Sequence, residues 1–312
     1  MKNGRILVTG GAGFIGNSLV EFLLKQDNHV TVFDNFSVVN NLEGLNSKNL
    51  QVVKGDLRSL SDLNALPTNF DCVFHLAADP EVRLTLTNPQ SIFENNILAT
   101  FNLLEWLRNT SIEPVVFTST SAVYGDATIL PTPESYPCTP ISLYGASKIA
   151  CESLLSAYCN QYEKKGVVIR LANIVGPKSA HGIIFDMIKK LKADSKRLEI
   201  LGDGKQNKSY LHVEDCILGM IHAAEKTSTN FEVYNMGSDT QISVNEIVDI
   251  ILQESGNLKV EKIFTGGVDG GRGWLGDIKI MLLDTSKIKA TGWTAKYDSY
   301  SSIKNTVQNM QK

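Results

Sequence analysis

Thr9-Gly10-Gly11-Ala12-Gly13-Phe14-Ile15-Gly16 follows the short apolar run 5–9 and opens the stretch 14–26, where Ile15, Leu19 and Leu23 recur at every fourth position. A period of four after a glycine turn predicts a helix whose N-terminus faces the end of a strand. Working outward, further apolar runs at 30–34, 51–55, 71–76, 115–119 and 167–171 read as strands. Several are continuously apolar rather than alternating, as in a parallel sheet covered on both faces. Helical patterns lie between them at 89–108 and 143–163. Strand and helix in alternation predict an α/β fold, a doubly wound parallel sheet of Rossmann type.

The glycines at 10, 13 and 16 allow a tight turn and a close backbone approach, so that Phe14, Ile15 and Gly16 can present a pyrophosphate to the helix N-terminus. Asp34 ends the second strand, where a carboxylate accepts hydrogen bonds from an adenosine ribose and repels a 2′-phosphate. The expected cofactor is therefore NAD. Asn35 follows Asp34. Asp56 and Leu57 close the third strand at the adenine, and Leu76, Ala77 and Ala78 close the fourth, where the small Ala77 and Ala78 leave room for the dinucleotide. His75 reads as a packed, hydrogen-bonded histidine.

Beyond Leu171 the rhythm changes. Gly176-Pro177 breaks the chain, and positions 265–276 hold six glycines in twelve residues. One well-marked helix begins at Ser243, with Glu246 completing a capping box, and stops before Gly256. This region reads as a smaller mixed α/β C-terminal substrate domain. The expected division is a cofactor-binding domain over 1–172, with 210–255 returning to it, and a mainly substrate-binding domain over 173–312.

Composition narrows the classes. Thirty basic residues against thirty-three acidic ones, a net charge of −3, exclude a phosphate-tracking basic stripe and with it a nucleic-acid partner. No apolar run of membrane-spanning or signal-peptide type is present, so a cytoplasmic protein with no membrane partner is expected. The five cysteines are scattered without a Cys-x-x-Cys pair, which predicts reduced thiols and no metal site.

Tyr144-Gly145-Ala146-Ser147-Lys148 sets a phenol and an ammonium on one face of a helix. For that phenol to act as a base near neutrality its pKa must fall by several units, which a nearby Lys148 and the positive nicotinamide of NAD can together bring about in a site partly closed to water. Thr118-Ser119-Thr120-Ser121-Ala122-Val123-Tyr124-Gly125 leaves the fifth strand at the end where ligands of such sheets bind. Its hydroxyls can hold a reacting oxygen.

These motifs together resemble the extended short-chain dehydrogenase/reductases, and within them the NAD-dependent nucleotide-sugar epimerases and dehydratases. The likeness runs on through Arg170-Leu171-Ala172-Asn173, Gly202-Asp203-Gly204, Tyr210-Leu211-His212-Val213-Glu214-Asp215, Arg272 with Gly276-Asp277, and Gly292-Trp293. The resemblance implies Tyr144 as the base, Lys148 as its electrostatic partner and a ribose ligand, and Thr120 as the assisting hydroxyl. It implies Thr118 and Asn96 near the cofactor, and Ser121, Asn173, Lys208, Arg272, Asp277 and Met281 around a nucleotide-diphosphate sugar, a UDP-sugar in the first place.

Three departures stand out. Lys208 replaces a usual arginine and lacks its bidentate fork; Leu171 and Ala172 stand where an aromatic is usual; and Gly273-Trp274-Leu275 lengthens the spacer between Arg272 and Gly276-Asp277. The implied reaction is 4-epimerisation through a 4-keto sugar, of the UDP-glucose/UDP-galactose type. A 4,6-dehydratase would need an acidic pair where Ser121 and Ala122 stand. A net dehydrogenase or reductase, and a non-catalytic NAD-binding protein, are the remaining alternatives. The family implies a homodimer through the helices 89–108 and 143–163.

Overall fold

The structure, a computed structural model, describes residues 1–82 and 87–311. It divides into two compact units. The first comprises Met1–Val123, Leu143–Arg170 and Ile217–Tyr234; the second comprises Tyr124–Ser142, Leu171–Cys216 and Asn235–Lys312.

The first unit is built on the strands β1 (Arg5–Thr9), β2 (His29–Asp34), β3 (Leu50–Lys54), β4 (Cys72–His75), β5 (Val115–Thr120) and β6 (Gly166–Leu171). With Phe231–Met236 they form a seven-stranded sheet in the order 231–236, β6, β5, β4, β1, β2, β3. The pairs β1–β2, β1–β4, β2–β3 and β4–β5 are all parallel. The order reverses at β1, between β2 and β4, and the carboxyl ends of strands around such a switch point form a ligand crevice. β4 and β6 are buried at every position, whereas β3, the edge strand beside β2, is largely open to solvent. Continuous apolar runs therefore mark the covered strands, and mixed ones the edge.

Helix α1 (Phe14–Lys25) buries Leu19, Val20 and Leu23. On the sheet, Leu7, Phe33, Val73, Phe117 and Val168 share one core cluster with Leu103, Leu107, Leu155 and Cys159 from the helices. Each such side chain removed from water contributes about 1.5–3 kcal/mol. The stretch 89–108, which periodicity alone renders as one helix, is Pro89–Ile92, then a π-helical turn Phe93–Leu98, then Ala99–Arg108. The wide turn carries Asn96 inward, buried within the fold.

The second unit contains three small sheets. Asn173–Val175 pairs with Tyr210–His212, Arg197–Ile200 pairs with Glu261–Phe264, and Asn207–Lys208 lies between Ile242–Ser243 and Ile280–Met281. Its core joins Ile184 and Leu191 to Ile247 and Ile251, and to Ile303 and Val307 of the last helix, Ser299–Met310. The helix Val244–Glu254 has the capping box that the sequence signals: the Glu246 amide donates to the Ser243 hydroxyl, and the Ser243 amide donates to the Glu246 carboxylate. No helix among the described residues is long and apolar enough to cross a membrane.

Candidate active site

In the first unit, the turn after β1 is shaped by what its glycines exclude. Gly10 has φ +71°, and a Cβ there would lie 2.5 Å from the Ala77 nitrogen; one on Gly16 would lie 2.2 Å from the Gly10 carbonyl oxygen. Side chains at either place would fill the space in which the backbone meets the start of α1. That helix is preceded at its N-cap by Gly13, which has no side chain with which to cap it, and its first amides point along the helix axis. Asp34 Oδ2 accepts from the Ala12 amide at 2.9 Å and Oδ1 from the Phe36 amide at 2.8 Å. The carboxylate is thereby fixed beside the glycine turn, and each oxygen keeps a further lone pair for a ribose hydroxyl. Glycine cradle, helix N-terminus and fixed carboxylate together fit a dinucleotide.

Asp56 is held by Arg58, 2.7 Å away, which lowers its pKa, and Asn35 Nδ2 lies 3.5 Å from the same carboxylate. Leu57 is buried, and its carbonyl accepts from Asn102. Leu76 continues from β4 by donating its amide to Thr9. His75 is a packed histidine, bonded to Thr9 Oγ1 at 2.7 Å and Thr100 Oγ1 at 3.0 Å; burial, aided by the charge of Lys148, drives its pKa down to about 3 and keeps it neutral.

Thr118, Ser119 and Thr120 end β5, and Tyr144 and Lys148 lie in the first turns of the helix Leu143–Gln161. The half-buried Tyr144 phenol shares a hydrogen bond with the Thr120 side chain, and the Thr120 hydroxyl also accepts from the Ala122 amide at 3.1 Å. Lys148 is buried; its Nζ donates to the Thr118 carbonyl at 2.9 Å and lies 4.7 Å from the Phe117 ring centre and 5.9 Å from that of Tyr144. Burial pushes the phenol up to about 12, against the Thr120 hydrogen bond, and pulls Lys148 down to about 8. The chain alone thus sets phenol and ammonium close together but leaves the phenol protonated. A further positive charge beside it is required for base action at neutral pH.

Asn96 has both ends of its amide occupied. Oδ1 accepts from the Asp79 amide at 2.7 Å, and Nδ2 donates to the Ser147 hydroxyl at 2.9 Å and the Asp79 carbonyl at 3.2 Å. It ties the segment after β4 to the Tyr144 helix. Spacing did not reveal this, nor the buried Glu152, one turn beyond Lys148 and paired with Arg170 and Ser119. Ser121 is buried in the short turn Ser121–Tyr124.

In the second unit, Lys208 and Asp277 form an ion pair of 2.6 Å. Arg272 makes a two-pronged contact with Asp126, at 3.0 and 2.9 Å, and its NH1 also donates to the Asp277 carbonyl. Asp277 Oδ2 accepts from the Gly273 amide at 3.1 Å, so the longer spacer folds back as a turn over its own carboxylate. Met281 is buried and paired in register with Lys208. Asn173 lies 3.4 Å from the Ser209 carbonyl. Lys208, Arg272 and Asp277 are therefore one cluster, joined through Arg272 to Asp269, 3.2 Å away, and to Asp126, which lies 146 residues from Arg272 and has no sequence signal. Glu134 is committed elsewhere, accepting from the Asn235 amide at 2.8 Å. No cluster of candidate metal ligands occurs among the described residues.

The family model of the NAD dependent epimerase/dehydratase family matches residues 6–237. A putative UDP-glucose 4-epimerase of Methanocaldococcus jannaschii is 33% identical over 314 residues, 98% of each chain. Among solved structures, a UDP-galactose 4-epimerase is 38% identical with a TM-score of 0.88, covering 98% of both chains. The UDP-glucuronic acid 4-epimerase of Bacillus cereus, in complex with UDP-glucuronic acid and NAD, is 29% identical with a TM-score of 0.89, over 98% of this chain and 99% of that one.

Proposed function

This chain belongs to the NAD-dependent epimerase/dehydratase family, and from that premise we propose that it interconverts UDP-glucose and UDP-galactose by inverting C4 of the sugar. It is an NAD-dependent nucleotide-sugar 4-epimerase, an isomerase. The observation that carries the oxidative 4-epimerase chemistry is the Thr120–Tyr144–Lys148 set, and likeness to UDP-glucose and UDP-galactose 4-epimerases supports the choice of sugar.

Gly10, Gly13 and Gly16, the first amides of α1, and Asp34 hold the dinucleotide; Asn35, Asp56, Leu57, Leu76, Ala77, Ala78 and Thr118 line it. Bound NAD supplies a hydride acceptor and donor at C4 and a positive ring that lowers the neighbouring phenol's pKa. Tyr144 takes the proton of the C4 hydroxyl, Thr120 holds the same oxygen by a hydrogen bond, and Lys148 stabilises the phenolate while its own proton stays on Nζ. The 4-keto sugar then turns over about its diphosphate link, and Tyr144 returns the proton to the inverted centre. No net redox change results. Lys208, Arg272 and Asn173 supply donors for the diphosphate, with Asp277 steering both cations, and Ser121 and Met281 border the sugar. A 4,6-dehydratase lacks its acid/base pair: Ser121 and Ala122 occupy those positions, Glu134 holds a backbone amide, and Glu152 is locked in an ion pair.

Exposed Phe93 and Phe101 on the 89–108 helical run support a homodimer, and five free cysteines support a reducing, cytoplasmic setting.

The test is incubation of the purified protein with UDP-galactose, without added cofactor, following UDP-glucose and bound-nicotinamide absorbance. Conversion that vanishes in Tyr144→Phe supports this reading. Absence of conversion, with NADH accumulating on another nucleotide sugar, overturns it in favour of net oxidation.

A further inference from the structure

We infer that Glu152 is a positioning residue for the Thr120–Tyr144–Lys148 set, acting through Ser119 and Lys148. The inference rests on the catalytic roles proposed above.

Glu152 and Arg170 are buried together, with side chains 7% and 8% exposed. Arg170 Nε donates to both carboxylate oxygens, at 3.1 and 3.2 Å, and NH2 donates at 2.7 Å. The remaining hydrogen bond comes from the Ser119 hydroxyl. A buried ion pair is weak ground for stability, since a well-packed apolar pair of similar volume serves as well or better. What this one adds is geometric definition. It ties three elements, β5 through Ser119, β6 through Arg170, and the Tyr144 helix through Glu152, at one point.

That point is joined by the chain to the reacting groups. Ser119 stands between Thr118, whose carbonyl receives Lys148, and Thr120, whose hydroxyl meets Tyr144. Glu152 is one helical turn after Lys148, as Lys148 is one turn after Tyr144, so the three share a face. Fixing Ser119 to Glu152 fixes the register of the Thr118 carbonyl and the Thr120 hydroxyl on the strand against Lys148 and Tyr144 on the helix. Misplacement by a fraction of an ångström weakens both hydrogen bonds at once.

The charge has a second effect. Lys148 is faced by Tyr144, Cys151 and Glu152 from its own helix and by neutral His75 from β4, while Asp79, after β4, acts on Tyr144. Glu152 favours the protonated form of Lys148, the form that stabilises a phenolate.

Glu152→Gln, Ser119→Ala and the double variant decide the matter. In the NAD-saturated protein, kcat with UDP-galactose falls about tenfold in Glu152→Gln and severalfold in Ser119→Ala, with KM within about twofold of wild type. The double variant is no slower than Glu152→Gln, because both act on one link. Ultraviolet titration of Tyr144, taken as the difference from a matched Tyr144→Phe protein, shifts to higher pH in both. Folded variants with wild-type kcat and an unmoved titration, or effects that multiply in the double variant, overturn the inference. Should Glu152→Gln fail to fold, Ser119→Ala decides alone, since it removes one hydroxyl and leaves the ion pair. A wild-type protein inactive on UDP-galactose refutes the proposed substrate instead, and the phenol titration still decides the role of Glu152.

Discussion

At the strand ends of the first unit the polar groups include backbone amides, hydroxyls, an Asp34 carboxylate fixed by two backbone amides and one lysine held by a carbonyl. In the second unit Lys208, Arg272, Asp277 and Asp126 already satisfy one another. A ligand of the first unit meets donors whose geometry is set by a rigid sheet. An anion approaching the second must exchange with carboxylates, so affinity there measures the difference between two ion pairs rather than the number of cations.

The largest expected effect breaks the first side of that contrast. Tyr144→Phe lowers kcat about 100- to 10,000-fold, the usual worth of a positioned proton-transfer group, and leaves bound NAD in place, as read by turnover and nicotinamide absorbance. Gly16→Ala drives a methyl into the Gly10 carbonyl, and NAD affinity falls about a hundredfold by calorimetry. In the second unit, Arg272→Ala weakens UDP binding about tenfold without changing NAD affinity. Asp126→Asn sharpens the comparison: it removes one of the two carboxylates that pair with Arg272, leaving the more exposed Asp269, and UDP binds severalfold more tightly. Weaker UDP binding in Asp126→Asn would mean that the carboxylate orients Arg272 instead.

Each unit also buries a histidine whose neutral form is favoured, His75 in the first and His212 in the second. Both pKa values are lowered in the folded chain, chiefly by burial, so the unfolded state binds more protons as pH drops below the ordinary value of 6.5. Stability present above that pH is lost on acidification toward about 3 for His75. Thermal melts between pH 7.5 and 4 fall steadily, and His75→Asn flattens the slope. The smallest effect is expected at the surface: Arg197→Gln removes an ion pair whose members are 67% and 65% exposed, and stability changes by under about 1 kcal/mol.

The first unit was the more legible because its signals are local. β1 has the expected bounds, and the glycine turn and the Tyr144–Lys148 pair each lie within a few residues, as does the capping box at Ser243 in the second unit. What stayed hidden depends on distance along the chain or on backbone detail. Apolar periodicity cannot register the single wide turn at Phe93–Leu98 that swings Asn96 inward. The strand Phe231–Met236 has no alternation that separates it from its surroundings. Asp126 and Arg272 meet only because two loops fold together, and Glu152 looks like any surface carboxylate of a helix until Arg170 closes over it.

The strand order also bears on how the chain is made. Six of the seven sheet strands have been synthesised once residue 171 is out, but β6 keeps an open edge until Phe231–Met236 arrives. The second unit waits longer still, because Ile303 and Val307 complete its core. During translation the nucleotide-holding half therefore assembles first and carries an open edge on β6 through the production of some sixty residues, the interval in which a nascent chain of this topology is most open to aggregation and has most need of a chaperone.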